Sequence, residues 1–322
     1  MTVVFNGCPR VQRSARWACV LLLVMAVWSP GVAAIELQAV APGVYGVIAN
    51  AREPSSDNGG VSANSGVIVG SEGVTVIDPG PNRAAGLALR RAIRRVTTKP
   101  VVAVIATHAH PENVLAADAL LGPATPLIAH ERTFALMRDR CADCFERLSG
   151  LVGRAAMAGT RIRVPDQTVP DGITERTYGG RTLRLIHVGW GHTAGDLAVL
   201  DRQTGTLFAG GLVSNRVLPD THEARVRSWI AALAALSQQP VRRVVPGQGN
   251  PGPASLIGEF SGYLLALLAR VEVPYREQLS VFDVLADGDL PDYANWSGYA
   301  AVHPLNLQHV YAELEREDFA SR

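Results

Sequence analysis

The chain has 322 residues, 48% of them hydrophobic and 18% charged, with a formal net charge of +1. That length can bury a substantial core in one large domain or two small ones, and without charge runs or low-complexity tracts the composition excludes a disordered chain. Setting aside Arg10, Arg13 and Arg16, the only charged side chains among the first 34 residues, takes the remainder from +1 to near −2, which leaves no basic surface for a polyanion and excludes nucleic-acid binding.

In chain order, those three arginines precede an apolar run, Trp17 to Trp28, then Ser29-Pro30-Gly31 and the small residues Val32-Ala33-Ala34. This is the pattern of a secretory signal cut after Ala34. The run is shorter than the roughly 20 residues of a spanning helix, so no retained membrane segment is expected. The mature protein is expected outside the cytoplasm, secreted or, in a Gram-negative source, periplasmic. Residues 51–64 are rich in Ser, Asn, Gly and Asp and read as a loop. Gly66–Val69 and Val74–Ile77 flank Gly70-Ser-Glu-Gly73 as a hairpin. Ala84–Val96 is an amphipathic helix, and Val101–Ile105 is a continuous apolar run, as in a buried strand. Thr182–Ile186 alternates as a half-buried strand. Leu197–Leu200 and Leu207–Ala209 flank a second hairpin turn. Helices are expected over Ala224–Leu236, Leu256–Val271 and Leu305–Glu315, with a strand at Val241–Val245. Strand hairpins and strand–helix units in both halves, with no clean linker, fit an α/β architecture of two packed sheets with helices outside.

Three histidines carry the chemistry. His108 and His110 sit two apart where the apolar strand gives way to a loop, and His192 sits in a loop after another strand. Imidazoles so placed can converge on one ion, and three of them leave a fourth position open for water. Taken alone, each is equally readable as an ordinary histidine.

Thr107-His-Ala-His-Pro-Glu-Asn113 resembles the THxHxDH motif of the metallo-β-lactamase superfamily. Val76-Ile-Asp-Pro-Gly80 resembles its VIDxG strand end, and Gly191-His-Thr-Ala-Gly-Asp196 its GHTxG loop. Thr206-Leu-Phe-Ala-Gly-Gly211 resembles LFxGD, and Val245-Pro-Gly-Gln-Gly249 resembles PGHG. The five occur in the family's order between residues 40 and 250. The segments around Tyr45, Cys141–Met157 and Ala209–Val213 look most like the exported quinoprotein relay system zinc metallohydrolases. The resemblance implies an αββα sandwich of two mixed sheets over residues 35–272, after the signal at 1–34. Residues 273–322 are expected as a helical extension packed on the same domain.

The resemblance also implies a zinc ion on His108, His110 and His192. The positions that would hold a second zinc read Glu112, Asn113, Gly211 and Gln248. Two neutral amides and a glycine are poor zinc ligands, so one ion is expected; changing Gln248, Asn113 and Gly211 back to His, His and Asp is expected to restore a second. Two functions stay open. One is a mononuclear hydrolase that attacks an ester, amide, lactone or thioester carbonyl by zinc-bound hydroxide, with Glu112 as general base and Asn113, Gln248 and His222 holding a small-molecule substrate. The other is a non-catalytic metal- or ligand-binding accessory protein serving a periplasmic quinoprotein dehydrogenase system.

Asp78 and Asp196 are expected to hold the ligand loops from behind. Cys8 and Cys19 leave with the signal, and Cys141 and Cys144 are expected to form a local disulfide, or to stay as spare thiols, in preference to a redox pair. There is no second CxxC for a four-thiolate zinc site. His130, His187, His303 and His309 read as structural, and Arg138, Arg140, Arg147 and Arg154 as the solvated face of a helical stretch.

Overall fold

A computed structural model describes residues 1–2, 35–50 and 53–321. Apart from its first two residues, the expected signal lies outside the described residues. The first sheet has seven strands in sequence order: β1 (Gln38–Ala41), β2 (Val44–Val47), β3 (Ser65–Val69), β4 (Val74–Ile77), β5 (Val101–Ile105), β6 (Leu127–His130) and β7 (Gln167–Val169). The first four form an antiparallel meander and the last three join in parallel. The second sheet has six: β8 (Gly172–Tyr178), β9 (Arg181–His187), β10 (Ala198–Asp201) and β11 (Thr206–Ser214) run antiparallel, β12 (Arg243–Gln248) joins β11 in parallel, and β13 (Gly252–Pro253) closes the edge. Both sheets are mixed.

Three apolar clusters show how the layers stack. Val44, Ile68, Ile77, Ile105 and Ile128 of the first sheet meet Leu183, Leu185, Val199, Phe208 and Val245 of the second. The strand residues that face away from this layer lie under helices. The first sheet packs on α1 (Arg83–Val96) and on α3 (Glu131–Val152) through Leu89, Ile93, Met137 and Leu148. The second packs on α4 (Val226–Ser237) and α5 (Leu256–Arg276) through Trp229, Leu233, Phe260 and Leu264. Helices α6 (Val281–Ala286) and α7 (Tyr299–Ser321) add Val284, Leu307 and Val310 to that same cluster. A short helix, α2 (Pro111–Val114), follows β5. This is the α/β/β/α order of the metallo-β-lactamase fold. No described helix is long and apolar enough to cross a membrane.

The sheets approach closely at one point. A Cβ on Gly66 would lie 2.3 Å from the Phe208 ring, so a glycine on β3 admits the largest side chain of the inter-sheet layer. Truncating Phe208 would cost about 3–5 kcal/mol, the usual range for a buried aromatic. Arg181 and Asp201 form an ion pair buried between β9 and β10, with Arg181 Nε donating to Asp201 Oδ1 at 3.0 Å. That pair fixes the strand register at the end of the sheets away from the histidines.

Candidate metal centre

The strand ends that point out of the sandwich carry the site. At the end of β4, Asp78 takes a left-handed backbone (φ 51), unusual for a residue with a side chain. The turn aims its carboxylate at the end of β5. Thr107 donates to it twice, from its amide to Oδ1 at 2.8 Å and from its hydroxyl to Oδ2 at 2.7 Å. The Thr107 hydroxyl also lies 2.8 Å from His108 Nδ1. Its one proton is already committed to Asp78, so His108 donates from Nδ1 and keeps the lone pair on Nε2. Burial raises the Asp78 carboxyl to about 7, against those hydrogen bonds. Asp78 thus holds the loop of His108 from behind.

His110 is the capping residue ahead of α2. Its Nε2 faces Glu223 at 3.7 Å and its Nδ1 faces Glu112 at 3.8 Å. Burial opposes a charge on His110, yet Glu223 and Glu112 together raise its pKa. Glu223 itself is held down to about 2, chiefly by His110. Glu223 is anchored by Trp190, whose indole N–H donates to its backbone carbonyl at 2.8 Å, and by Arg140 at 3.2 Å.

His192 enters from the loop after β9. Asp196 shapes that loop by accepting from the Thr193 amide and hydroxyl, both at 2.8 Å, and burial raises its carboxyl to about 7. The His192 ring lies against Trp229 at 5.5 Å. Its Nδ1 is buried with no hydrogen-bond partner among the described residues. The loops carrying His108 and His192 are tied together where Leu197 N–H donates to the Thr107 carbonyl at 2.8 Å.

The three imidazoles converge, each edge-on to the next with centroids 4.7 to 5.2 Å apart. Their candidate ligand atoms lie within 4.8 Å of one another. Burial, reinforced by the neighbouring rings, holds His192 down to about 3 and His108 well below its ordinary value. Converging imidazoles, two of them held uncharged by burial and one with an orphaned buried nitrogen, fit a borderline cation such as zinc.

The positions that would hold a second ion line the same cavity, of about 250 Å³. Gln248 donates to the Ser62 carbonyl at 3.0 Å, and the buried Asn113 amide nitrogen has no hydrogen-bond partner among the described residues. At Gly211 a Cβ would lie 2.3 Å from His192 Nδ1, so an aspartate put back there requires the His192 ring to shift.

Other readings also change. Cys141 and Cys144 are free thiols, not a disulfide. They stand three apart on the continuous helix α3, with Cys141 packed in the core and Cys144 on the cavity wall. Arg147 lines the cavity as well, instead of belonging wholly to a solvated face, and so does His222. Glu223 was not singled out by the sequence. Its only signal was the loop it shares with His222. His130 and His187, read as unrelated, meet each other with Asp171.

A family model described as the metallo-beta-lactamase superfamily matches residues 58–248, and the chain belongs to that superfamily. Solved structures agree on the fold. A metallo-beta-lactamase from Pontibacter korlensis is similar at 23% identity and a TM-score of 0.59, over 72% of this chain and 99% of that one. The DIM-1 metallo-beta-lactamase is similar at 17% identity and a TM-score of 0.58, over 73% and 98%. The inverting sec-alkylsulfatase Pisa1 from Pseudomonas sp. is similar at 15% identity and a TM-score of 0.69, over 86% of this chain and 50% of that one. No curated protein matches the chain.

Proposed function

We propose that the protein is an exported, mononuclear zinc hydrolase. The observation that carries the reading is the trio His108, His110 and His192: convergent, and set in a cavity with two carboxylates beside His110. Zinc held there supplies Lewis acidity toward water and a carbonyl oxygen. Glu112 lies on the Nδ1 side of His110 and accepts the proton of the attacking water. Glu223 lies on the Nε2 side at 3.7 Å and favours a proton there, which leaves the Nδ1 lone pair for the ion. Gln248, Asn113 and His222 offer hydrogen bonds to the substrate, and Arg147 offers a positive charge. The signal at residues 1–34 supports export.

The test is metal analysis of the purified mature protein, followed by hydrolysis assays with and without chelator. The panel comprises esters, lactones and thioesters, together with a β-lactam and a secondary alkyl sulfate, suggested by the similar structures. Near one zinc per chain at low metal, with chelator-sensitive turnover, is expected. A tight pair of zinc ions overturns the mononuclear reading, and zinc without any turnover overturns the hydrolase.

One observation favours a second reading. Gly211 leaves no carboxylate where the family's bridging one would stand. The same cleft then serves as a metal-stabilised binding site in an accessory protein of a periplasmic quinoprotein dehydrogenase system, in line with the finer resemblance of the Tyr45, Cys141–Met157 and Ala209–Val213 segments.

A further inference from the structure

Apart from the cleft, a second set of metal-capable side chains meets where strand ends of the two sheets come together. His130 ends β6, Asp171 lies between β7 and β8, and His187 ends β9. Their candidate ligand atoms lie within 4.8 Å of one another. The two imidazoles are buried and stacked, with centroids 3.7 Å apart and 13° between their planes. Asp171 is exposed and caps them. Its Oδ1 is 3.0 Å from His130 Nε2 and 3.4 Å from His187 Nε2.

The protons on the two rings can be placed. His187 Nδ1 faces the Asp196 carbonyl at 2.8 Å. A carbonyl only accepts, so neutral His187 carries its proton on Nδ1 and a lone pair on Nε2. That Nε2 is buried and has no hydrogen-bond partner among the described residues. It faces a carboxylate oxygen, which has no proton to give. An unmet buried acceptor set against an anion is costly, and a cation in front of it removes the conflict. His130 is arranged differently: its Nδ1 accepts from the Arg132 amide at 3.3 Å, so its proton is on Nε2 and points to Asp171.

We propose that His130, Asp171 and His187 form a second, peripheral site for a divalent transition ion of the zinc class, with His187 as its preformed ligand. Two imidazoles and one carboxylate suit that class, whereas calcium and magnesium take oxygen sets. His130 joins by moving its proton from Nε2 to Nδ1. It thereby gives up the long Arg132 contact, and the rings splay from their stack to converge. The rearrangement makes this site weaker than the cleft, by about tenfold or more, the scale on which ligand-orienting contacts act.

The experiment is a zinc titration of the full-length mature protein after chelator stripping, followed by competition with a coloured chelator. Two steps are expected, one tight and one weak. His110→Ala should remove the tight step and leave the weak one. Asp171→Asn with His187→Gln should do the reverse, and Asp171→Asn alone, at an exposed position, should weaken the second step with the fold intact. A wild-type titration with no weak step overturns the proposal. So does a weak step that survives the double variant, or a His187 whose NMR signals are unmoved by zinc. Because the cleft is read from the tight step, failure of either site is visible separately.

Discussion

The two histidine clusters are built from similar parts but supported differently. Each takes a histidine from the end of a parallel strand in the first sheet, β5 or β6, and another from the end of β9 or the loop beyond it. In the cleft, Asp78 and Thr107 set His108, Glu223 faces His110, and Asp196 with Thr193 shapes the loop of His192. In the peripheral cluster His187 is fixed by a backbone carbonyl at 2.8 Å, while the partner of His130 at 3.0 Å is the exposed capping carboxylate. In this fold, strand ends from two sheets readily bring imidazoles together. What separates the two is how many groups hold each loop: the cleft loops are tied by buried carboxylates, whereas the peripheral set is capped by an exposed one.

That comparison can be broken most sharply at Gly211. Gly211→Asp should drive His192 out of place and abolish tight zinc binding, while the weak peripheral step stays. Titration reads both at once; retention of tight zinc by the variant would show that the His192 packing is not what fixes the site. Next in size is Glu112→Gln, which should keep the zinc stoichiometry while lowering turnover on any cleaved substrate by about 10²–10⁴-fold, the usual worth of general-base help. Equal turnover in the variant would remove Glu112 from the mechanism.

A smaller effect is expected behind the ligand. Glu223→Ala should weaken zinc by about 10–100-fold, the usual cost of losing a ligand's orienting partner, and Glu223→Gln should recover part of it because the amide oxygen still accepts from His110. Chelator competition measures this without any substrate, and unchanged affinity in Glu223→Ala would make that contact incidental. The mildest expectation concerns the thiols. Burial raises the Cys141 thiol to about 11 and raises Cys144 as well, so both react slowly at neutral pH. Without reductant, Cys144 on the cavity wall should still alkylate before Cys141, and its adduct should obstruct the cleft while sparing the peripheral site. Two blocked thiols would instead restore the disulfide reading.

The sequence made the frame of this comparison legible. Local periodicity located the β3–β4 hairpin, α1, β5 and the β10–β11 hairpin, because each buries a regular face. The HxH and GHTxG segments marked the three cleft histidines, since a ligand at a strand end travels with its loop. What escaped was long-range. Glu223 reaches His110 from a loop more than a hundred residues away, with no spacing rule between them. His130, Asp171 and His187 come from three separate elements, and their meeting depends on how the two sheets are apposed. The collision at Gly211 was equally hidden, because a glycine in a motif reports a missing side chain but not what has moved into the space.

That occupied space also makes the present site hard to leave by small steps. If an ancestor held two ions with an aspartate at position 211, its His192 ring stood clear of that side chain. With glycine there, the ring has settled where the Cβ would be. A single codon change back to aspartate now meets the ring before it meets a metal. On this packing, recovering a binuclear centre calls for the His192 ring to move in the same step as position 211 changes. The glycine works as a ratchet on the chemistry open to this chain's descendants.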